Sequence, residues 1–180
     1  MDIVIPNGNE KEFIEEAVKL RYKSLCFFYD KKVEGIVSSQ IKVMTCSPFN
    51  SNLKTDFYLC DPKIDLREQL KRKKKLILIS IEGDMHSDFL RQRNSGLNHI
   101  IVKEASLGMY FIDFRSISKN KGRRRATILG RVMQNVRLCR GKIPIGIATF
   151  STNPKKLRRY HDLVGIGRVF GFVMGGFGDI

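Results

Sequence analysis

Seven short runs of β-forming residues alternate with helix-type segments along almost the whole chain, and this alternation restricts the possible fold most strongly. The predicted strands cover residues 2–5, 24–29, 40–46, 56–60, 76–81, 109–114 and 143–150. Residues 10–20, 65–75, 97–107, 124–140 and 162–172 show the apolar spacing of helices, and Asn9 is placed to cap the first. Several strands are apolar throughout, which indicates a parallel sheet covered on both faces by helices. The sequence therefore predicts an α/β fold.

The length of the chain limits how these elements can be arranged. The chain has 180 residues, 42% of them hydrophobic, which is enough for one substantial core and too few for two ordinary domains. We therefore expect a single domain over residues 1–180. Seven parallel strands fit either an open doubly wound sheet or a small, trimmed TIM-like barrel, since a full barrel usually needs at least ~200 residues. The polar stretch 47–55 predicts a shortened connection without a helix.

Positive charge is concentrated in the last third of the chain. Residues 116–161 contain thirteen Lys and Arg but no Asp or Glu, and residues 116–180 carry a net +12 of the total +15. A protein surface normally mixes both signs, because charges of one sign repel each other. The imbalance indicates a polyanionic partner, and nucleic acid is the first candidate.

The predicted helix 124–140 carries much of this charge. Its apolar stripe consists of Ile128, Leu129, Val132, Val136 and Cys139, and Arg131 and Arg137 fall outside that stripe. An ordinary solvated helix face pairs Glu with Lys or Arg one turn away, and this helix contains no Glu. We therefore predict a cationic free face that contacts RNA. The predicted contacts are Arg123, Arg124, Arg125, Arg131 and Arg137.

Two further basic groups lie close to predicted strands. Lys155, Lys156, Arg158 and Arg159 follow the last strand and are also predicted to contact RNA. In a parallel sheet this group and the first one both lie near strand ends, so they could form one surface. The run 71–75 precedes a strand and belongs to the opposite end, where it fits either a solvated helix terminus or a phosphate contact.

A third candidate site surrounds the start of the predicted helix 97–107. Asn94 and Ser95 are predicted to cap this helix, whose exposed N–H groups would then hold an anion. The candidate RNA-binding residues here are Arg91, Arg93, Asn98, His99 and Lys103. The alternative is that Asn98 and His99 are merely satisfied polar residues at a helix start.

Evidence for enzyme chemistry within the chain is weak. The three histidines show no metal-ligand spacing, and the four cysteines lack the close pairs of zinc sites, so buried free thiols are expected. No apolar run approaches the roughly 20 residues of a membrane span, and the first residues lack a signal-peptide pattern. These features predict a protein kept inside the cell.

Several short motifs occur in an order that resembles one known family. Residues 94–99 (NSGLNH) lead into an apolar helix, the strand 109–114, the basic segment 123–126, the helix 132–138 and the strand start 143–145. Residues 162–171 continue the same order. Together these segments resemble ribonuclease P protein component 3, the archaeal form of the thirty-kilodalton protein subunit of archaeal and eukaryotic ribonuclease P. The resemblance spans most of the chain and is most specific over residues 93–171.

This resemblance implies a TIM-type barrel that is related to metal-dependent phosphoesterases but lacks their metal ligands. It implies a subunit of the ribonucleoprotein that removes 5′ leaders from precursor tRNA, an endoribonuclease in which the RNA subunit carries the catalysis with its Mg²⁺. The protein itself would have no cofactor and no catalytic residues. By position, the resemblance marks Asn98, His99, Arg123, Arg124, Arg125 and Arg137 as RNA contacts.

The resemblance also implies partners and a location. The partners would be ribonuclease P RNA, protein component 2 and other protein subunits, with precursor tRNA bound through the complex. The location would be the cytoplasm in an archaeon, and the nucleus or nucleolus in a eukaryote. Two other functions stay open on the sequence. One is a metal-dependent phosphoesterase or nuclease of a related barrel family that uses His86, His99 and Asp88, and the other is a different structured-RNA-binding protein.

Overall fold

All seven predicted strands are present in the computed structural model, which describes residues 1–32, 38–73, 75–83 and 94–174. They are β1 (Asp2–Val4), β2 (Ser24–Phe28), β3 (Lys42–Pro48), β4 (Phe57–Leu59), β5 (Leu76–Ile79), β6 (Met109–Asp113) and β7 (Ile145–Ala148). Strand β3 lies two residues later than predicted, because its ladder with β2 begins at the pair Ser24 and Lys42. The connection after β3 contains no helix, as predicted.

The strands form one parallel sheet in the order of the chain, from β1 to β7. The sheet curls so that β1 meets the segment that follows β7. The Phe150 amide donates to the Ile3 carbonyl and the Ile5 amide to the Ser151 carbonyl, both at 2.9 Å. An open sheet would keep its first and last strands apart, so the architecture is a nearly closed, small TIM-like barrel. The predicted fold class is confirmed.

The barrel core consists of the apolar side chains of the strands. Strands β5, β6 and β7 are buried at every residue, which explains their lack of apolar and polar alternation. Tyr110 and Phe111 of β6 are among the largest fully buried side chains. A Cβ atom at Gly146 would lie 2.5 Å from the Phe111 ring, so only glycine fits beside that ring. All four cysteines are buried free thiols, as expected.

Six α-helices of the described part of the chain surround the sheet. They are α1 (Glu10–Lys19), α2 (Leu66–Arg72), α3 (His99–Glu104), α4 (Phe114–Lys119), α5 (Gly122–Cys139) and α6 (Tyr160–Val169), and a 3-10 helix covers Pro154–Lys156. Five of the six α-helices were predicted. Helix α4 was not, because it has no buried residue and therefore no apolar stripe that would mark a helix in the sequence. Within the described residues, no helix is long and apolar enough to cross a membrane.

One helix cap that was predicted outside the candidate site is not formed. Asn9 was predicted to cap α1, but its side chain makes no capping bond to that helix. Its Oδ1 instead accepts the Asn7 amide at 3.0 Å. That prediction is wrong because the asparagine stabilises the turn before the helix.

Candidate nucleic-acid interface

The carboxyl ends of β6 and β7 bring two predicted basic groups to the same end of the barrel. Helix α4 begins directly after β6 and leads into the first turn of α5, while the 3-10 helix follows β7. Strands β6 and β7 are neighbours, with Asp113 opposite Ala148. We call the resulting region the upper basic surface. It is formed by Arg115, Arg123, Arg124, Lys155, Lys156, Arg158 and Arg159.

Arg115 is held rigidly at the centre of this surface. Its Nε and Nη2 atoms donate to the Asp113 carboxylate at 3.0 and 2.8 Å, and the Ser80 hydroxyl donates to the same carboxylate at 2.8 Å. The guanidinium carbon lies 4.0 Å from the centroid of the Phe150 ring, a cation–π contact. The Arg115 side chain is nevertheless 38% exposed, so part of the guanidinium faces solvent. Asp113 pairs with Arg115 and makes no ion pair with another cation of the described chain.

The backbone beneath Arg115 adopts an unusual conformation. Ser80 and Phe150 have φ angles of 57° and 48°, in the left-handed region that non-glycine residues rarely occupy. Each such residue costs on the order of 1–3 kcal/mol and persists where the surrounding structure enforces it. Both side chains contact the Asp113–Arg115 pair. The fold therefore uses strained backbone at two strand ends to fix one arginine.

Arg158 joins the group after β7 to the group after β6. Its guanidinium carbon lies 5.9 Å from the centroid of the Phe114 ring, at the start of α4. The Tyr22 hydroxyl donates to the Arg158 carbonyl at 2.8 Å and fixes the backbone there. Pro154 and Leu157 are buried and anchor the 3-10 helix, so Lys155 and Lys156 project from a fixed base. The two groups thus form one surface, a possibility that the sequence left open.

The first turn of α5 adds further positive charge. Arg123 and Arg124 are exposed, and that turn contains no acidic residue. Arg125 folds back, donating from Nε to the Asn120 carbonyl at 2.6 Å. The N-terminus of a helix is itself the positive end of its dipole, so arginines at this position are unfavourable until an anion binds. Within the described chain, Arg123, Lys155, Lys156 and Arg159 make no ion pair with a carboxylate.

Arg131 was predicted on the free face of α5, and that prediction is wrong. The residue is only 3% exposed, and its Nη1 atom donates to the carbonyls of Glu82 and Gly83 at 3.2 and 2.6 Å. It lies one turn after Ile128 and one turn before Asn135, both of which face the barrel. Its long aliphatic stem allows the charged end to reach these carbonyls. Arg131 therefore attaches α5 to the segment after β5.

Arg137 is exposed but lies far from the upper basic surface. It follows Arg123 by fourteen helical residues, a separation of about 21 Å along the axis of α5. It lines a cavity of about 420 Å³ with Gly130, Met133, Gln134 and Leu138. The structure thus separates Arg137 from the arginines with which the sequence grouped it.

The third predicted site differs from expectation at the start of α3. Asn98 caps this helix, with its Oδ1 accepting the amides of Ile100 and Ile101 at 3.0 Å each. Asn94 instead accepts the Gly96 amide at 3.3 Å. The predicted cap at Asn94 and Ser95, with helix N–H groups left for an anion, is therefore wrong. His99 and Lys103 are exposed one turn apart on this helix. Arg91 and Arg93 lie outside the described residues.

A network of polar side chains is buried beside the barrel. Glu82 is 1% exposed and accepts the hydroxyl of Tyr110, and Asn135 donates to the Ser95 carbonyl at 2.9 Å. Burial raises the pKa of Glu82 to about 7. Together with Arg131, these contacts tie β6 and α5 to the segments that follow β5.

The described residues contain no group of three or more His, Cys, Asp and Glu that could hold a metal ion. Two of the three residues considered for a metal site, His86 and Asp88, lie outside the described part of the chain. His99 alone is placed, and it is exposed on α3. The sequence missed Arg115, Phe114 and Phe150 as parts of the surface. The order Asp113–Phe114–Arg115 at the end of an apolar strand was the available signal.

The fold and this surface define a small TIM-like barrel with a cationic carboxyl end. Comparison with solved structures finds similarity to a chain in the "cryo-EM structure of archaeal Ribonuclease P with mature tRNA", with a TM-score of 0.56 and 16% sequence identity. The match covers 94% of this chain and 82% of that chain, and at this identity it supports the fold alone. No family model and no curated protein matches the chain.

Proposed function

We propose that this protein is a subunit of ribonuclease P that belongs with protein component 3 and binds the catalytic RNA of the particle. The observation that carries the proposal is the continuous upper basic surface, in which Arg123, Lys155, Lys156 and Arg159 make no ion pair with a carboxylate of the described chain. Support comes from the motif order over residues 93–171 and from the likeness in fold to a chain of an archaeal ribonuclease P structure.

The mechanism is electrostatic. Phosphates repel each other where RNA helices pack, and a fixed array of cations lowers that repulsion without a catalytic step by the protein. Arg115 and Arg158, already held against aromatic rings, lose little conformational entropy on binding a phosphate. Arg123, Arg124, Lys155, Lys156 and Arg159 supply further charge. The RNA would carry the hydrolysis and its Mg²⁺, and protein component 2 would be the protein partner.

Sequencing of the RNA that co-purifies with the tagged protein tests this function. One structured RNA of the ribonuclease P type is expected, and reconstitution with it should lower the Mg²⁺ needed to cleave precursor tRNA. If the co-purifying RNA were ribosomal or tRNA alone, the protein would belong to another class of RNA-binding proteins. Nuclease activity of the isolated protein with a stoichiometric metal would instead indicate a phosphoesterase.

A second measurement tests the electrostatic mechanism. Each phosphate contact contributes about 0.7 to 0.9 to the slope of log affinity against log salt concentration. Neutralisation of 6 to 10 phosphates therefore predicts a loss of about 10³ to 10⁵ in affinity between 50 and 200 mM salt. A flat dependence would contradict the mechanism.

A further inference from the structure

A second group of cations lies at the opposite end of the barrel. Lys23 precedes β2, Lys42 is the first residue of β3, and Lys75 precedes β5. Because all strands are parallel, the residues that begin them share one end, away from Asp113 and the upper basic surface. We call this group the lower basic rim. It consists of Arg21, Lys23, Lys42, Lys71, Lys73 and Lys75.

Contacts between neighbouring strands hold these residues in an arc. The Lys42 amide donates to the Lys23 carbonyl at 3.0 Å, which joins the starts of β2 and β3. The Tyr58 amide donates to the Lys75 carbonyl at 3.0 Å, and Lys73 Nζ lies 4.0 Å from the centroid of the Tyr58 ring. Neighbouring strands are about 4.8 Å apart, so the arc from β2 to β5 spans about 14 Å. This length matches several consecutive phosphates of one RNA strand.

Two acidic residues near the rim already have arginine partners. Glu68 pairs with Arg72 at 2.5 Å, and Glu104 pairs with Arg67 at 2.8 Å. The Asp56 carboxylate accepts the amide and the hydroxyl of Thr45 at 2.8 and 3.0 Å, and because these donors are neutral, its charge still offsets one of the six cations of the rim. Arg21, Lys23, Lys71 and Lys75 are exposed and make no ion pair within the described chain. The rim therefore presents net positive charge to solvent.

We propose that the lower basic rim binds the phosphate backbone of a second RNA segment, so that the barrel clamps two segments at its opposite ends. The inference rests on the proposed function and deepens it. Helix α5 alone is about 27 Å long, and the two surfaces face in opposite directions, so one straight RNA helix cannot contact both. The charge of Lys71, Lys73 and Lys75 then has a ligand, and Lys71 also has a favourable place at the C-terminus of α2.

The ligand favoured here is RNA and not a membrane. Binding to a membrane surface requires apolar side chains that enter the lipid in addition to basic ones. Between residues 21 and 75 of the described chain, Ile64 is the one exposed large apolar side chain, and it follows β4 at the upper end. Val18, at the end of α1, and Leu107, before β6, are exposed at the lower end, but as single side chains on either side of the arc. Scattered single apolar side chains are ordinary on a protein surface and do not form the apolar face that a membrane requires.

The test counts the RNA duplexes bound by each protein molecule. Short RNA duplexes carrying either a donor or an acceptor fluorophore are mixed with the full chain at low salt, and light scattering confirms one protein chain per complex. The wild type should bind two duplexes and bring the fluorophores together. The variant K23E/K71E/K75E should bind one duplex, lose the energy transfer and lower the salt slope by roughly 2 to 3.

Two further variants separate the possible outcomes. K155E/K156E/R159E should also bind a single duplex, through the lower rim. K31E/K32E/K63E makes the same change in net charge beside the ends of β2 and β4, outside the residues of either surface, and should still bind two. If the lower-rim variant behaved like this control, or if it lost binding to vesicles rich in phosphatidylserine while still binding two duplexes, the inference would be overturned and the proposed function would stand. A wild type that bound no duplex and co-purified with no ribonuclease P RNA would overturn both.

Discussion

At the scale of single residues, Glu82 is a carboxylic acid in an environment that disfavours its charge. Its Oε2 atom and the Oδ1 atom of Asn135 have no hydrogen-bond partner among the described residues. Burial raises the pKa of Glu82 from 4.5 to about 7. The folded state therefore holds this proton more tightly than the unfolded state does. The resulting stability is fully present below about pH 4.5 and is lost as the pH rises through about 7.

Glu82→Gln should abolish this part of the pH dependence. The glutamine amide can donate to Asn135 Oδ1 while its oxygen still accepts from Tyr110. The group that replaces Oε2 and the Oδ1 atom of Asn135 then each gain a hydrogen-bond partner. Across the pH window, the wild type should lose on the order of 3 kcal/mol of unfolding free energy that the variant keeps. Urea unfolding of both proteins near pH 5 and near pH 8 measures the difference.

Asp2 provides the control for this experiment. Burial raises its pKa to about 6, so its titration also lowers stability as the pH rises, over a neighbouring window. Asp2→Asn should leave the loss of stability between about pH 6 and pH 8 largely in place, because Glu82 still titrates there. Parallel stability curves for the wild type and E82Q would show that Glu82 titrates normally.

Arg131 and Arg123 lie on the same helix, but the same substitution should affect stability at Arg131 and RNA binding at Arg123. Arg131→Met leaves the Glu82 and Gly83 carbonyls without their donor, which should cost about 1–3 kcal/mol of unfolding free energy. Arg123→Met changes an exposed side chain and should alter stability by less than about 0.5 kcal/mol. Its effect should appear as a decrease of about 0.7 to 0.9 in the salt slope of RNA binding. Denaturation and RNA titration of both variants test this, and equal effects on either property would contradict the assignment.

At the scale of elements, the local pattern determined most of what could be predicted. Seven strands and five helices follow from apolar runs and spacing, because burial of those residues requires the elements that were found. Helix starts were predicted poorly, since Asn94, Ser95 and Asn98 are all acceptable caps in the sequence. The choice depends on where α3 packs against α5, which is a tertiary contact. Arg131 was misplaced for a similar reason, because its partners lie 48 and 49 residues away.

The capping role of Asn98 can be separated from an RNA contact. Asn98→Ala removes the acceptor for two amides and should destabilise the protein by about 1 kcal/mol. Asn98→Ser keeps a capping oxygen and should restore most of that stability. If Asn98 acts only as a cap, N98S should bind RNA as tightly as the wild type at the same degree of folding. Weaker binding by a fully folded N98S would instead show that the side chain contacts RNA.

At the scale of the whole molecule, closure of the barrel depends on residues that are far apart in sequence. The Asp2 carboxylate accepts the amide and the hydroxyl of Thr149, both at 2.7 Å, across 147 positions. No local pattern distinguishes this closure from an open sheet with the same seven strands. The closed, parallel arrangement of the strands also determines where the charged groups lie. Parallel strands determine which end each basic segment occupies, so the upper and lower surfaces could be separated only once the topology was known.

The net charge of +15 predicts opposite effects of salt on the free protein and on its RNA complex. In the free protein, cations at both ends of the barrel repel one another, and added salt screens that repulsion, so the melting temperature should rise between roughly 50 and 200 mM salt. In the complex, RNA supplies the compensating charge, and stability exceeds that of the free protein by an amount set by ligand concentration relative to Kd. Because salt weakens RNA binding, the melting temperature of the complex should fall over the same range. Thermal unfolding with and without RNA measures both trends, and a fall in both would mean that the surface cations are already balanced within the fold.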